Sequence, residues 1–253
     1  MLFRSFVNPV LATGEGTGAV SWLNLAFRLM YLPIGLFGVS IATAVLPAVS
    51  RHAARQDTGA IRTTIADGLS LMMMLNVPAT VGLVVLAHPI VQVIFEHGRF
   101  TTADTTATAS ALGYYAVGLL GYSVVRIASP TFYALGRNRT PVTVSMITVV
   151  ANATLSILLV RVFGFRGLAL GTSLAALFNA TVLLTLLRRH LGGLEDARVL
   201  RSLFKIALAS AVMGLAATAT NRVLTLEFPS GAFVAQAARL GSTIALSLAV
   251  LAA

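Results

Sequence analysis

Long apolar stretches alternate along the chain with short loops that carry most of its charge. Seven stretches approach the roughly 20 apolar residues that a helix needs to cross the hydrocarbon core of a bilayer. They cover residues 20–48, 65–87, 105–128, 142–162, 168–187, 203–220 and 233–253. They lack the alternation of a barrel strand, and only helices or closed barrels satisfy the backbone in lipid. The pattern predicts an all-α integral membrane protein with about seven transmembrane helices.

Composition strengthens this prediction. Of the 253 residues, 57% are hydrophobic and only 10% are charged, whereas a soluble domain has about 25% charged residues. The net charge of +10 comes mostly from arginines in the loops, so we interpret it as a signal of membrane orientation and not of nucleic-acid binding. Anionic lipid headgroups are a second reason for such a charge. Cysteine is absent, which excludes disulfides and cysteine-based metal sites.

The loop charges also predict which side of the membrane each loop faces. Ten basic residues follow the first, third and fifth stretches, against four in the alternate loops. The richer loops should be cytoplasmic. The protein then lies in the bacterial cytoplasmic (inner) membrane with its C-terminus on the cytoplasmic side, and the first stretch starts on the outer side. Residues 1–19 are then an outer-side segment or the tail of a missing helix. We expect the chain to be part of a larger transporter-like protein.

Arg28 lies inside the first apolar stretch, roughly 12 Å from its outer end at the rise of a helix. On that helix a stripe of polar and small residues recurs at spacings of three and four: Ser21, Asn24, Arg28, Tyr31, Gly35, Gly38 and Ala42. The opposite stripe is bulky and apolar: Leu23, Phe27, Met30, Ile34, Phe37 and Ile41. We interpret the bulky stripe as facing lipid and the small, polar stripe as facing a close packing surface or a cavity.

Two interpretations of Arg28 compete. A charge at the centre of a membrane helix costs about 2.5–3.5 kcal/mol, so the side chain either snorkels to the headgroups or contacts an anion in a cavity. Its polar neighbours Ser21, Asn24 and Tyr31 favour the cavity. The planar guanidinium suits phosphate, because it donates two parallel hydrogen bonds and stays charged.

Pro33 should kink or loosen the same helix, because it has no N–H for the carbonyl of Leu29. With Gly35 and Gly38 it forms a candidate hinge, although a simple kink in the shape of the helix is the alternative. Three further polar residues are candidate substrate contacts. Arg126 shares a face with Tyr115 and Tyr122, and either snorkels or lines the cavity. Asn152 and Asn179 lie near the middle of two spans, where hydrogen bonds between helices are the simpler interpretation.

The acidic and histidine residues argue against an enzyme. All eight acids lie in loops or at the ends of spans, and the four histidines lack metal-ligand spacing. Membrane enzymes acting on prenyl diphosphates use paired acids to hold magnesium, and the adjacent pair Glu195–Asp196 lies in a loop. We therefore predict no catalysis, no metal site and no cofactor.

Three segments carry a family resemblance: AFRLMYLPIGLFGVSIATAVLPAVSRHAA at 26–54, VPATVGLVVLAHPIVQVIFEHGRFTTADT at 77–105 and SPTFYALGRNRTPV at 129–142. They resemble the MurJ/MviN family of lipid II flippases, in the multidrug/oligosaccharidyl-lipid/polysaccharide exporter superfamily. The resemblance implies fourteen helices in two halves around a central cavity, with this chain similar to the second half. It implies that Arg28 contacts the diphosphate of the substrate, and that a basic residue is common at Arg126. Some members carry an acid where Tyr31 stands.

The resemblance divides the chain into the segment 1–19, a five-helix bundle with cavity-facing residues at 20–190, and the last two helices at 191–253, which would form a groove for the lipid tail. The expected function is translocation of lipid II across the cytoplasmic membrane, with a missing N-terminal half as a partner. The alternatives are an exporter of another polyprenyl-linked saccharide or drug, an intramembrane enzyme, and a non-functional truncated remnant.

Overall fold

The fold, taken from a computed structural model that describes residues 12–14, 18–227 and 233–252, is built from helices. The first long helix is interrupted: α1 (Ala19–Pro33) leads through a π-helical segment (Ile34–Gly38) into α2 (Val39–Ala54). The remaining helices are α3 (Thr58–Val85), α4 (Ala87–Phe95), α5 (Thr102–Ala134), α6 (Arg139–Phe163), α7 (Phe165–Leu191), α8 (Asp196–Glu227) and α9 (Phe233–Ala252). The described residues contain no strand.

Each of the seven predicted stretches lies largely within a helix of this structure. Six helical spans are long and apolar enough to cross a membrane: the continuous run Ala19–Ala54, then α3, α5, α6, α7 and residues 197–223 of α8. The seventh stretch forms α9, a helix of 20 residues that is not among these six. The prediction of an all-α membrane bundle is confirmed. Most of the predicted segment 1–19 lies outside the described residues.

Helix α5 forms the centre of the bundle and contacts α1, α2, α3, α4 and α7. Small residues allow the close approach of its neighbour α7, since a Cβ at Gly121 would lie 2.6 Å from the carbonyl oxygen of Ala176. The contact between α6 and α7 is similar, because a Cβ at Gly167 would lie 2.2 Å from the carbonyl oxygen of Leu159. Small residues at an interface let helix backbones meet in a membrane. Helix α7 is therefore held closely against both α5 and α6.

Most of the bulky stripe of the first helix packs inward and only Phe37 of it is exposed, which corrects the prediction that the stripe faces lipid. Leu23, Met30 and Ile34 are buried in an apolar cluster with residues of α5 and α7. Ser21, Asn24 and Arg28 on the opposite stripe are exposed. Burial of bulky side chains against a neighbouring helix gains dispersion contacts along the whole interface. The first part of the small and polar stripe is left on the outer surface of this bundle, whereas Gly38 is buried.

A capping box begins α5, as the sequence Thr-Thr-Ala-Asp predicts. The Thr101 side chain accepts a hydrogen bond from the Asp104 N–H, and the Asp104 side chain accepts one from the Thr101 N–H. Trp22 of α1 donates its indole N–H to the other carboxylate oxygen of Asp104 at 2.8 Å. The Trp22 ring also lies 5.3 Å from the ring of Phe165 at the start of α7. This junction joins the beginnings of α1, α5 and α7.

The connection between α7 and α8 is tied to the first turns of α3. Glu195 in this connection accepts a hydrogen bond from the hydroxyl of Thr63 at 2.7 Å. Arg198 lies 3.2 Å from Glu195 and 3.2 Å from Asp67 of α3. Both acids in this cluster are therefore paired. The pKa of Glu195 lies below its ordinary value of 4.5, first because of the Thr63 hydroxyl and then because of Arg198.

Acid should loosen this connection. A carboxylate whose pKa is lowered by folding contributes stability that is present above its unfolded pKa and is lost as the pH falls through its folded pKa. We expect the free energy of unfolding to fall more steeply below about pH 4.5 in the parent chain than in Glu195→Gln. Unfolding in mixed micelles at pH 3–6 measures the difference. Identical pH profiles would show that the Thr63–Glu195 contact does not contribute to stability.

Candidate functional site

The exposed stripe of α1 brings together four of the predicted substrate-binding residues. Ser21, Asn24 and Arg28 are exposed, and Tyr31 is half-buried. The Asn24 amide donates to the carbonyl of Val20 at 3.0 Å, one turn earlier on the same helix. Within the part of the chain that the structure describes, no hydrogen bond or ion pair to Arg28 is found. Its guanidinium is therefore available for an anionic ligand.

Two neighbouring cavities lie along this stripe. The first, called the Arg28 cavity below, has a volume of about 460 Å³. Its lining comes from α1 and the π-helical segment: Phe27, Arg28, Tyr31, Leu32, Gly35 and Leu36. It is open at the surface of the bundle, and Arg28 is the one charged residue in its lining. The chemistry of this cavity is that of a single cation among apolar side chains.

The second, called the Arg126 cavity below, lies between the first helical span and the later half of α5, with a volume of about 690 Å³. Its lining is Phe27, Tyr31, Val39, Ala42, Thr43, Leu46, Tyr122, Val125, Arg126, Ser129, Pro130 and Tyr133. Arg126 is again the one charged residue of the lining, and hydroxyl groups accompany it. Neither cavity is lined by a carboxylate of the described residues.

Tyr31 joins the two helices that form the Arg126 cavity. Its hydroxyl oxygen accepts a hydrogen bond from the Arg126 guanidinium, across 95 positions of sequence. The Arg126 guanidinium carbon also lies 5.8 Å from the centre of the Tyr31 ring, within the range of a cation–π contact. Tyr31 is therefore in contact with Arg126 through a neutral hydroxyl group and through its ring.

The candidate hinge coincides with the break between α1 and α2. Pro33 is the last residue of α1, and Gly35 and Gly38 lie in the π-helical segment Ile34–Gly38. A Cβ at Gly35 would meet nothing within 4 Å, whereas one at Gly38 would lie 4.0 Å from the Arg126 Cγ. Single π-helical turns inside α-helices are rare and occur often at functional sites. The loosened helix predicted from Pro33 is present, and its role as a hinge stays a prediction.

Asn152 and Asn179 lie apart from both cavities. Asn152 of α6 accepts a hydrogen bond at 3.3 Å from Ser156 on the same helix. Asn179 of α7 is half-buried, and its side-chain oxygen has no hydrogen-bond partner among the described residues. The bonds between helices that their mid-span positions suggested are not found in this part of the chain. Their assignment as substrate contacts stays a prediction without support from cavity geometry.

An apolar groove lies on the other side of the π-helical segment. It has a volume of about 570 Å³ and lies between that segment, α3, α4, α8 and α9. Its lining includes Leu36, Phe37, Met74, Leu83 and Met213. Among the described residues that line the groove, none is charged, so its chemistry suits a hydrocarbon chain. The last two helices contribute to its lining, and their role as a groove for a lipid tail stays a prediction.

The site as a whole can hold an anion but shows no catalytic arrangement. Among the described residues, no group of three or more His, Asp or Glu side chains could hold a metal ion. A guanidinium group in each of the two neighbouring cavities can donate paired hydrogen bonds to phosphate oxygens. Of the predicted residues, Tyr31 lines both cavities and contacts Arg126, whereas Arg28 lines the neighbouring cavity. Thr43, Ser129 and Tyr133 also line the Arg126 cavity. Sequence reasoning did not propose them as substrate contacts, although helical spacing places Ser129 and Tyr133 on the face of Arg126.

Fold and site together define an all-α, multi-pass membrane protein with an arginine-bearing face beside an apolar groove. The family model "Lipid II flippase MurJ" matches residues 2–238. The chain belongs to the MurJ family of lipid II flippases.

Individual relatives agree with this assignment. A Vibrio cholerae protein described as a probable lipid II flippase MurJ is 35% identical over 215 residues, which cover 84% of this chain and 40% of the relative. A solved structure of a lipid II flippase MurJ in an inward closed conformation matches with a TM-score of 0.77 and 26% identity. The match covers 98% of this chain and 49% of that one. The chain thus spans less than half the length of the curated relative.

A more distant likeness shows the fold alone. A transporter of the MOP superfamily from Pyrococcus furiosus matches with a TM-score of 0.60, over 98% of this chain and 58% of that one. The two sequences are 16% identical.

Proposed function

We propose that this chain takes part in the translocation of lipid II, the lipid-linked peptidoglycan precursor, across the bacterial cytoplasmic membrane. The observation that carries the proposal is the exposed position of Arg28 on a membrane span, in a cavity without an acid. A charged side chain inside a span faces a bundle interior or a water-filled cavity, because hydrocarbon solvates it poorly. The exposed stripe of α1 is then one wall of a cavity that a second helical bundle closes. That bundle corresponds to the first half of the family's fold, on the same polypeptide or on another.

The chemistry of the two cavities and the groove suits different parts of lipid II. Arg28 and Arg126 bind the diphosphate, with Ser21, Asn24 and Tyr31 beside them. The apolar groove between the π-helical segment and α9 holds the polyprenyl tail. Asn152 and Asn179 line neither arginine cavity and stay predicted substrate contacts. The π-helical segment acts as the hinge for alternating access, because a ligand that binds one state more tightly shifts the population toward it. The protein is a transporter without catalytic activity, and its C-terminus is cytoplasmic.

The test measures lipid II that is accessible from outside, in bacterial cells depleted of their own flippase. The chain is supplied alone, and also together with the first half of a relative, and its insertion in the membrane is verified in each arm. Restored accessibility in either arm supports the proposed function, and restoration only with the first half assigns the second wall to that half.

Failure in both arms, with the chain inserted, contradicts the proposal. Two arginine cavities would suit the diphosphate of any polyprenyl-linked saccharide, and the fold is shared with another transporter of the MOP superfamily. Failure would therefore favour export of another such lipid, or an inactive remnant. Vesicle assays with other polyprenyl diphosphate saccharides separate these two outcomes.

A further inference from the structure

The Arg28 and Arg126 cavities have a common wall. Phe27 and Tyr31 are the residues that line both of them. The Arg28 cavity continues toward Leu32 and Leu36, and the Arg126 cavity extends along α2 to Thr43 and Leu46. An anion that passes from one arginine to the other along this face must pass the two aromatic side chains.

Phe27 is the better anchored of the two aromatic residues. Its ring lies 5.5 Å from Tyr115 and 6.4 Å from Tyr122, both at steep edge-on angles, and 5.7 Å from Tyr31. Edge-to-face contacts at such distances are favourable. The hydroxyl of Tyr31 is held by the Arg126 guanidinium. The position of Tyr31 in this wall thus depends on a group that an anionic ligand also requires.

We propose that Tyr31 is a positioning residue that competes with the anionic headgroup for Arg126, and that its displacement opens the wall between the two cavities. This inference rests on the proposed function, since it describes how an anion passes from one arginine of that site to the other. The hydroxyl oxygen of Tyr31 takes a place at the guanidinium that a phosphate oxygen would take. A phosphate offers paired acceptors of opposite charge, whereas the hydroxyl offers one uncharged acceptor. Phosphate therefore displaces the hydroxyl, and Tyr31 is freed to turn away from the wall.

Because the Tyr31 hydroxyl is neutral, it occupies the Arg126 guanidinium without cancelling its charge, as an acid would. A carboxylate at position 31 would neutralise Arg126 and repel a diphosphate. With Tyr31, the resting contact fixes the direction of the guanidinium and leaves its charge for the ligand. Among the described residues, no acid lines either cavity. The ligand class is accordingly an anion with two or more phosphate oxygens, of which the polyprenyl diphosphate headgroup is one.

The test measures the affinity of the purified 253-residue chain for inorganic pyrophosphate by titration calorimetry, in the parent chain and in Tyr31→Phe. The phenylalanine keeps the ring and removes the competing hydroxyl. We expect binding to tighten about tenfold, the factor that one lost hydrogen bond to a charged group gives. The gain should vanish in the double variant Tyr31→Phe with Arg126→Gln. Tyr114→Phe is the matched control, because it removes a hydroxyl from the same helix as Arg126 at a residue that lines neither cavity, and it should leave the affinity unchanged.

A second readout follows the arginine itself. Modification of Arg126 by p-hydroxyphenylglyoxal should be faster in Tyr31→Phe than in the parent chain, and pyrophosphate should protect it. Unchanged affinity and unchanged modification in Tyr31→Phe, with weakened binding in Arg126→Gln, would overturn this inference and leave the proposed function in place. If neither Arg28→Gln nor Arg126→Gln weakens pyrophosphate binding, the anion site fails, and the proposed function and this inference fail with it.

Discussion

Replacing Arg28 with glutamine is expected to reduce externally accessible lipid II at least about tenfold in the arm that restores translocation, the cost of one lost charge-assisted contact. Glutamine keeps hydrogen-bonding capacity but removes the charge from a cavity in which Arg28 is the one cation of the lining. Arg28→Lys should give an intermediate rate, because lysine keeps the charge without the planar fork that matches phosphate. Translocation is measured at equal amounts of inserted protein.

The control for this series is Arg161→Gln. Arg161 is an exposed arginine in the last turn of α6 and lines neither arginine cavity. The Arg161→Gln substitution removes the same charge from the chain and should change the translocation rate little. Equal losses in Arg28→Gln and Arg161→Gln would attribute the effect to net charge or insertion. Full activity of Arg28→Gln would return Arg28 to the role of a snorkelling residue.

The second large expected effect is a change in the free energy of unfolding, and it depends on which glycine of α5 is replaced with alanine. At Gly121 the new Cβ would lie 2.6 Å from the carbonyl carbon and the carbonyl oxygen of Ala176, backbone atoms that cannot move without separating the two helices. Overpacking of this kind costs about 1–3 kcal/mol. We expect Gly121→Ala to lower the free energy of unfolding by that amount.

Gly113→Ala is the matched control on the same helix, about two turns earlier. A Cβ at Gly113 meets nothing within 4 Å, and alanine is favoured over glycine inside a helix by about 0.5–1 kcal/mol. The same substitution should therefore be neutral or stabilising there. Unfolding by sodium dodecyl sulfate in mixed micelles, followed by circular dichroism, compares the two variants. Equal stabilities would show that α5 and α7 can separate at Gly121 without loss.

The helices of this protein could be predicted because their physical cause is local. Length and hydropathy alone define a span, and the capping box at Thr101 and Asp104 follows from four consecutive residues. The loosening after Pro33 was likewise predictable, since a missing N–H removes a hydrogen bond within the helix. The exact form of that loosening, a π-helical turn at Ile34–Gly38, depends on how α1 and α2 pack against α5.

The orientation of α1 could not be predicted from the same information. In water, the bulky stripe of Leu23, Met30 and Ile34 would point inward because of hydrophobicity. In a membrane, lipid tails are as apolar as leucine, so the stripe alone does not distinguish lipid from protein. The packing surface of α5 and α7 decides it, and that surface comes from residues 109–119 and 168–169, far along the chain from α1.

The contacts of the site have the same long range. Tyr31 meets Arg126 across 95 positions, and Thr63 meets Glu195 across 132. Each pairing depends on the relative depth and rotation of two helices. Small residues such as Gly121 determine these two quantities, because they allow close contact between helix backbones. Arg28 was identifiable because a cation inside an apolar stretch is unusual whatever surrounds it. Tyr31 could not be identified from the sequence as the neutral partner of Arg126.

The junction at Trp22 gives this protein a built-in optical reporter. Trp22 is the one tryptophan in the sequence, so all indole fluorescence comes from the place where α1 meets α5 and α7. Its N–H is bonded to Asp104 and its ring lies against Phe165. A movement that pulls α1 away from α5 breaks this bond and admits water, which shifts indole emission to longer wavelength. The opening of the first helical span can therefore be followed in the unlabelled chain, in real time and from a single known position.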